Sequence, residues 1–479
     1  MDAEPAAPPV VAVVMTSNPG DWFEQTLVAL ATQDYPNQSV LVMDTGSSPV
    51  PASRVAQVLP EAYLRRPEVQ GFAAVANDVL QIVEGAAFLV FCHDDVALER
   101  PAVRLLVEEA LRSNAGIVAP KVVEWERPDH LLEVGLAIDK TGASGPLVER
   151  GELDQEQHDA VRDVFEATGG CTLVRADLFS TLGGFDREMR LLGEDLDLSW
   201  RAHLAGARVV VAPAARVRHR EATVSGLRPL PHFAEGMGRT PRDRVRPLVV
   251  RHRLRAVLKA YGAFHLVRVL PQMALLAAAE VGFAVLSGRP QVARAIIGAW
   301  RWNFGRMGEL RAARRQVQGL RAIPDGELRR LQVRGSARFS AFIRGTLTDD
   351  RAQGLAAAGR DLAGTFRGDD LRVKVAFWAT VTAVLVVGSR HLLAGPVPAV
   401  GQLVPFPHSP MTFLRHFGSG WRASGLGSAA PAPAAFALLG LAGVALGGAM
   451  GLLRQVMILG PVAAGIVGAF RLARPLGPG

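Results

Sequence analysis

The sequence predicts an α/β front domain with a mostly parallel sheet, followed by a helical region associated with a membrane. Three observations lead to this prediction. Short β-branched and apolar runs alternate with segments of helical periodicity as far as about residue 225. Small polar residues and aspartate follow directly after several of those runs. Hydrophobic residues form 49% of the 479-residue chain, and the excess is concentrated after about Phe264.

The first elements are a strand from VVAVVM, a helix within TSNPGDWFEQTLVALATQ and a strand from SVLVMD, which ends at Asp44 before a TGSS turn. A third strand is predicted from AAFLVFCHDD, after the helical segment GFAAVANDVLQIVEG. AGIVAPKVV and VFEATGGCTLVR give two more strands, the second followed by a short helix. LLGEDLDLSWRAHLAGARVVVAP predicts a helix that starts with acidic residues and ends before a valine-rich strand. Functional residues should gather at the carboxyl ends of such strands.

The region after the front domain is arginine-rich over 239–259 and apolar over 264–288. If 264–288 crossed the bilayer, the basic stretches on its two sides would lie on opposite faces, against the positive-inside tendency. We therefore favour a helix lying in the membrane interface, or packed on other protein, over a spanning helix.

Spanning helices are predicted further along, from apolar runs such as FWATVTAVLVVGS and the small-residue segment GLAGVALGGAM. Their expected bounds are 373–395, 434–453 and 456–470. The predicted organisation is a disordered N-terminus at 1–9, a front domain at 10–228, a basic helical interfacial region at 229–372 and a transmembrane region at 373–479.

Composition restricts the partners and the compartment. The 53 basic and 45 acidic residues give a net charge of +8. The arginines interleave with apolar segments rather than with stacking aromatics, which favours membrane lipids over nucleic acid. Cys92 and Cys171 both lie in apolar segments that are predicted to be strands, so we expect no disulfide framework and a reducing compartment. The acidic, proline-rich start MDAEPAAPPV lacks the pattern of a signal peptide, so the front domain is expected in the cytoplasm.

The segment FCHDDVAL, residues 91–98, places a histidine and two adjacent carboxylates at the end of a predicted buried strand. An α/β sheet presents ligands at such a strand end, so these residues are suited to a metal ion or a phosphate. An ordinary solvated turn is the alternative at this point.

In order and content, the motifs over about residues 10–225 resemble those of the family 2 glycosyltransferases with the GT-A fold, of the membrane-associated bacterial cell-envelope type. The matching segments are TSN, Asp44 with TGSS, GFAAVAN, HDD, TGGCTLVR, GEDLDLSWR and RVRHRE. The resemblance implies a nucleotide-sugar site formed by Thr16, Ser17, Asn18, Asp44, Gly71, Asn77 and Asp94. From the residues alone, Asp44 lies in an ordinary turn and Asn77 is a buried structural amide, and both alternatives stay open.

The resemblance also implies a divalent cation. HDD lies where family members carry a DxD-like triplet, so Asp95 matches the metal-binding position and Asp94 the middle position. His93 replaces the more usual aspartate, and because imidazole tolerates softer ions, Mn²⁺ is as reasonable as Mg²⁺. His219, in RVRHRE, matches a position that often completes the metal shell, although a lone histidine is otherwise a structural or surface residue.

The acidic motif GEDLDLSWR supplies the implied catalytic base. The resemblance assigns this role to Asp195, with Glu194 and Trp200 shaping the acceptor side and Gly169 and Gly170 lining the acceptor groove. The alternative is that the paired acids only stabilise a helix N-terminus.

These implications predict an inverting glycosyltransferase that moves a sugar from a nucleoside-diphosphate donor to a lipid-linked or cell-envelope glycan. Its expected location is the inner (plasma) membrane, as a multi-pass protein with a cytoplasmic catalytic domain. The QxxRW motif of processive synthases is missing near Trp200. Two alternatives remain. One is an inactive membrane scaffold, suggested by His93. The other is a sugar nucleotidyltransferase, but such enzymes carry a glycine-rich, arginine-bearing loop after the first strand, and the segment TSNPGDWF lacks that loop.

Overall fold

The structure, a computed structural model, describes residues 7–68, 71–167, 170–230, 241–286, 289–333, 406–421, 427–458 and 460–461. The chain forms two compact units, Met1–Gly345 and Thr346–Gly479. The front unit contains the sheet and the helices that position the candidate site.

The strands of the front unit follow the predicted apolar runs. They are β1 (Val10–Thr16), β2 (Gln38–Asp44), β3 (Tyr63–Arg65), β4 (Phe88–His93), β5 (Val96–Leu98), β6 (Ala115–Glu124), β7 (Leu131–Glu133), β8 (Leu136–Ile138), β9 (Ser144–Pro146), β10 (Arg162–Asp163), β11 (Cys171–Arg175) and β12 (Arg208–His219). Ten of them form one sheet, and β8 pairs with β9 separately.

The large sheet has the order β10-β12-β6-β11-β4-β1-β2-β3, with β5 paired to β12 and β7 to β6. Strands β3, β2, β1 and β4 pair in parallel with one another, as predicted. Strand β11 lies antiparallel between β4 and β6, so the prediction of a mostly parallel sheet was wrong and the sheet is mixed. The described residues between β6 and β11 form short strands and loops rather than a crossover helix, which allows β11 to enter in the opposite direction.

Helices cover both faces of the sheet. The front unit contains α1 (Phe23–Ala31), α2 (Ala52–Val58), α3 (Phe72–Ala76), α4 (Val79–Ile82), α5 (Ala102–Ser113), α6 (Ala176–Thr181), α7 (Glu194–Leu204), α8 (Ala222–Ser225), α9 (Pro241–Ala260), α10 (Ala263–Leu286), α11 (Pro290–Gly305), α12 (Met307–Gly319) and α13 (Asp325–Leu328). The segment GFAAVANDVLQIVEG, predicted as one helix, forms the two short helices α3 and α4.

The core is divided by the alternation of side chains along the strands. Ala12 and Val14 of β1 face an apolar cluster that includes Leu27 of α1. Val13 and Met15 face the opposite cluster, to which α3, α6 and α7 contribute. A third cluster joins α7 to α9. Helix α7 is therefore packed on one side against the sheet and on the other against α9.

Helix α9 uses part of its basic sequence for packing inside the protein. Arg255 and Lys259 are both 2% exposed and His252 is 1% exposed. The arginine-rich pattern of 239–259 is therefore not wholly a lipid-facing surface, because these side chains contact the front domain.

Helix α10 presents an apolar stripe to the outside. Phe264, Val267 and Leu275 are 82%, 75% and 73% exposed. Among the described residues, one helix is long and apolar enough to span a membrane, over Ala263–Gly282 within α10. Pro271 lies inside α10.

The rear unit is described in part. It contains the helices α14 (Pro410–Gly418) and α15 (Ala434–Ala445). A single helix was predicted over 434–453, but α15 ends at Ala445, before Gly447 and Gly448 in left-handed conformations. Its 12 residues rise about 18 Å, which is shorter than the hydrocarbon core of a bilayer. The predicted span 373–395 and most of 456–470 lie outside the described residues.

Candidate functional site

The candidate site is built where three parallel strands end side by side. Strand β1 ends at Thr16, β2 at Asp44 and β4 at His93. In the register of the sheet, Thr16 pairs with Asp44, and Met15 pairs with His93. The sheet therefore brings together polar residues that are up to 77 positions apart in the sequence, as the strand-end argument predicted.

Asp94 is fully buried and joins the ends of β1 and β4. Its Oδ2 accepts a hydrogen bond from the hydroxyl of Thr16 at 2.6 Å and one from the amide of Ser17 at 3.3 Å. Its Oδ1 is paired with Arg228, whose guanidinium also lies 5.8 Å from the centre of the Trp22 ring. Burial raises the pKa of the Asp94 carboxyl, and Arg228 opposes that rise.

Asp95, His93 and His219 form a group with metal-ligand geometry. One ligand atom of each residue lies within 4.8 Å of the others. The Asp95 Oδ1 atom is 3.5 Å from His219 Nε2 and 3.9 Å from His93 Nδ1. Ligands at about 2.1 Å from a common ion lie about 3 to 4 Å apart, so the distances from Asp95 to the two imidazoles suit a shared cation.

The second oxygen of Asp95 shows why the carboxylate is fixed. Its Oδ2 accepts a 2.7 Å hydrogen bond from the amide of Ala222, whereas Oδ1 is buried with no hydrogen-bond partner among the described residues. A buried carboxylate oxygen without a donor is costly unless a cation compensates it. The donor set therefore fits a bound metal ion.

The pKa values of these three side chains are shifted in different directions. Burial would raise the pKa of Asp95, but His219, His93 and Arg228 together hold it below its usual range. Burial lowers the pKa of His93 to about 4, so its imidazole is neutral and able to bind a metal at pH 7. At His219 burial acts in the same direction, but the Asp95 carboxylate outweighs it and raises the pKa.

The β2 end forms a pocket of hydrogen-bonding groups around Asp44. Asp44 Oδ1 accepts from the amide of Ser47 at 2.9 Å, while its buried Oδ2 has no hydrogen-bond partner in the described part of the chain. Arg66 Nε lies 3.6 Å from that oxygen. Asn18 has a φ of 48°, and its backbone N–H donates a 2.8 Å hydrogen bond to the hydroxyl oxygen of Ser47. Hydrogen bonds between Asn18 and the Ser47–Ser48 segment thus join the loops after β1 and β2.

Two glycines allow close approaches near the site. Gly71 has a φ of 95°, and a Cβ there would come within 2.9 Å of Arg190 Cβ. A Cβ on Gly170 would lie 2.8 Å from His219 Nδ1, so only glycine lets β11 begin beside the metal group. Gly169 lies outside the described residues.

The acidic pair begins α7 after a sharp turn. Leu192 and Gly193 have left-handed φ values of 65° and 98°, and Glu194 and Asp195 follow in the first helical turn. Glu194 is 2% exposed, and its Oε2 is buried without a hydrogen-bond partner within the described ranges. Asp195 is half-buried.

Neighbouring carboxylates surround Asp195. Burial, followed by the charge of Glu133, raises the pKa of Asp195 to about 7. Burial and Asp195 raise the pKa of Glu194 well above its ordinary value. Burial also raises the pKa of Glu166 to about 8, although a hydrogen bond from Ser144 opposes the rise. A carboxylate that titrates near neutral pH is suited to general-base catalysis.

Two predicted site residues are held elsewhere. The Asn77 side chain donates to the Phe185 carbonyl at 2.8 Å and accepts from the Phe185 amide at 2.7 Å, which matches its structural alternative. Trp200 is 0% exposed and packs edge-on against Phe165 and Tyr261 in the third core cluster. The structure does not bring either side chain to the strand-end site.

Three site residues were missed from the sequence. Arg66 follows β3, so its position at a strand end was an available signal. Glu166 lies two positions before TGGC, but nothing local distinguishes it from a surface acid. Arg228 reaches Asp94 across 134 positions, and no sequence pattern predicts that pairing.

Comparisons with known proteins identify the domain that contains this site. Residues 8–237 match the family described as "Glycosyltransferase like family 2". An N-acetylglucosaminyl-diphospho-decaprenol L-rhamnosyltransferase of Mycobacterium tuberculosis is 27% identical over 251 residues, covering 47% of this chain and 80% of that protein. A pre-mycofactocin glycosyltransferase of the same organism is 30% identical over 190 residues, 38% of each chain.

Among solved structures, GalNAc-T7 with UDP, GalNAc and Mn²⁺ overlaps 55% of this chain and 49% of its own, with a TM-score of 0.42 and 13% identity. The assignment itself follows from the sequence match over the whole front domain, in which the strand-end carboxylates and the α7 acids both lie. Residues 8–237 are therefore a family 2 glycosyltransferase domain.

Proposed function

We propose that this glycosyltransferase transfers a sugar, with inversion, from a nucleoside-diphosphate sugar to a lipid-linked or cell-envelope glycan at the cytoplasmic face of the membrane. The observation that carries the proposal is the buried Oδ1 of Asp95, which accepts no hydrogen bond among the described residues and lies beside two imidazoles, in the same domain as a carboxylate that titrates near pH 7. Together they supply a cation site for a diphosphate and a base for a hydroxyl.

The strand-end loops suit the nucleotide part of the donor. Asp44 offers a carboxylate oxygen, Oδ2, that accepts no hydrogen bond within the described ranges and can accept one from a base or a ribose. Arg66 beside it adds a positive charge at the same strand end. Thr16 and Ser17 act less directly in this proposal, because they hydrogen-bond to Asp94 and fix the β1 loop.

The proposed metal ligands are His93, Asp95 and His219. A bound cation there would neutralise charge on the departing nucleoside diphosphate. Two imidazoles with a single carboxylate are softer than the all-oxygen set that Mg²⁺ prefers, so Mn²⁺ is the favoured ion. His93 departs from the usual triplet residue, yet it lies within the ligand group, which supports an active enzyme over an inactive scaffold.

Asp195 is the proposed general base. Ionised Asp195 would remove the proton of the acceptor hydroxyl as that oxygen attacks the anomeric carbon. A single displacement needs no second nucleophile and inverts the configuration at that carbon. Glu166, whose pKa is raised to about 8, is mostly protonated at neutral pH and can donate a hydrogen bond to an acceptor hydroxyl.

Two observations support a lipid-linked acceptor at a membrane surface. The rhamnosyltransferase relative is named for a decaprenol-linked substrate. Helix α10 exposes Phe264, Val267 and Leu275, and it also carries the exposed Arg268. Such a surface suits the headgroup region of an anionic membrane, with the helix lying in its plane.

The test is transfer of a labelled sugar to lipid. Purified full-length protein is mixed with labelled nucleotide sugars, Mn²⁺, and vesicles that contain polyprenyl-diphosphate-linked sugars. The proposal predicts label in the organic extract, with opposite anomeric configuration from the donor. Transfer to free sugars alone, with none to the lipid, would contradict the proposed acceptor.

A further inference from the structure

The turn before the acidic pair depends on support from outside itself. Leu192 has a left-handed φ of 65°, a conformation that is strained for a branched side chain, and Gly193 continues the turn at 98°. The residue before α7, Gly193, provides no side-chain cap for the helix. The direction in which Asp195 points therefore depends on whatever fixes the backbone of this turn.

His252 of α9 provides one such support. Its Nδ1 lies 2.5 Å from the carbonyl oxygen of Leu192. A carbonyl only accepts, so Nδ1 carries the hydrogen and donates it. Burial lowers the pKa of His252 to about 4, which keeps the ring neutral at pH 7. His252 Cβ also lies 2.8 Å from the position of a Cβ on Gly193, so the ring is seated directly against the turn.

Two more residues of the same face of α9 hold the flanks of the turn. Arg255 Nε donates to Asp186 Oδ2 at 2.8 Å, before the turn. Lys259 pairs with Asp186 and, at 2.6 Å, with Asp197 in the first part of α7. The spacing of positions 252, 255 and 259 is i, i+3 and i+7, which places all three on one side of a helix.

We propose that His252 is a positioning residue for the transfer reaction: through the Leu192 carbonyl it orients the first turn of α7, so that Asp195 faces the acceptor hydroxyl. This inference rests on the proposed role of Asp195 as the base. Helix α9 lies beyond residue 237, where the family match ends. The helical region is thus part of the active site's framework, in addition to any contact that it makes with the membrane.

The test compares His252→Phe, which keeps a ring and removes the donor, with His252→Asn, whose amide restores a donor near the position of Nδ1. In His252→Phe, kcat with acceptor should fall about 10- to 100-fold, since small displacements of a catalytic group have effects of that size. The KM for the nucleotide sugar should stay within about twofold of the wild type, and His252→Asn should recover most of kcat. Val249→Ala, on an exposed part of α9, is the matched control.

A pH profile separates positioning from general damage. Burial and the charge of Glu133 raise the pKa of Asp195, and the charge of Asp195 in turn helps to raise the pKa values of Glu194 and Glu166. If the turn relaxes, Asp195 should become more solvated. In the plot of kcat against pH, the apparent pKa of the rising limb, which reports ionisation of Asp195, should then be lower in His252→Phe than in the wild type. It should return to the wild-type value in His252→Asn. A purely structural role for His252 would lower the melting temperature without moving this limb.

The outcomes distinguish this inference from the proposed function. Wild-type kcat and an unmoved limb in His252→Phe, while Asp195→Asn is inactive, would overturn the positioning role alone. Activity retained in Asp195→Asn would remove the base assignment and this inference with it. If His252→Phe does not fold, His252→Asn and His252→Gln decide: the shorter amide should remain active and the longer one should lose kcat, and equal activities would overturn the proposal.

Discussion

The rate of transfer should depend on pH through Asp195. With its pKa raised to about 7, Asp195 is ionised in about one molecule in eleven at pH 6 and in about ten of eleven at pH 8. Only the ionised form accepts a proton, so activity rises with pH and the increase across this range is about tenfold. An aspartate with an ordinary pKa near 3.9 would give no change there.

Glu133→Gln provides the matched perturbation. It removes the nearby charge that helps to raise the pKa of Asp195, so the midpoint of the profile should move down by about 0.5 to 1 pH unit. The assay is kcat/KM for the acceptor between pH 5.5 and 8.5, at saturating donor and Mn²⁺. Donor binding is measured at each pH, so that titration of the metal-binding residues is separated from titration of the base. A flat wild-type profile, or a midpoint that Glu133→Gln leaves unchanged, would refute the reasoning.

Three further predictions concern the metal site, the buried ion pairs and the apolar stripe. Asp95→Ala should weaken Mn²⁺ binding by more than about 100-fold in calorimetry, because it removes a ligand; binding within tenfold of the wild type would contradict the site. Lys259→Met should lower the free energy of unfolding by about 3 kcal/mol in urea, whereas the exposed Arg246→Ala should change it by less than about 0.5 kcal/mol. Leu275→Glu should reduce sedimentation with anionic vesicles by at least about tenfold, and equal sedimentation would show that α10 does not contact lipid.

The sequence predicted those parts of the fold that depend on local patterns. The alternating strands and helices placed Asp44, His93 and Asp95 at strand ends, because apolar runs followed by polar residues are local signals. The antiparallel insertion of β11 was not predicted. It depends on the long excursion between β6 and β11, whose short strands have no strong periodicity.

The site was predicted less completely because much of it depends on long-range contacts. Arg228 reaches Asp94 across 134 positions, and His252 reaches Leu192 across 60. An arginine-rich helix has the same composition whether its basic residues face lipid or buried carboxylates, and in α9 Arg255 and Lys259 face carboxylates. Trp200 was likewise interpreted as an acceptor-side residue because the sequence does not show its tertiary contact with Tyr261, which places it in the core.

The central claim is that one domain combines a metal-dependent donor site with the base Asp195. The most direct measurement is release of nucleoside diphosphate from a panel of nucleotide sugars, with Mn²⁺ or Mg²⁺ and a membrane lipid extract as acceptor. The wild type should release one nucleoside diphosphate faster with Mn²⁺ than with Mg²⁺, and both Asp95→Ala and Asp195→Asn should abolish this release. Metal-independent release, or full activity in either variant, would contradict the account.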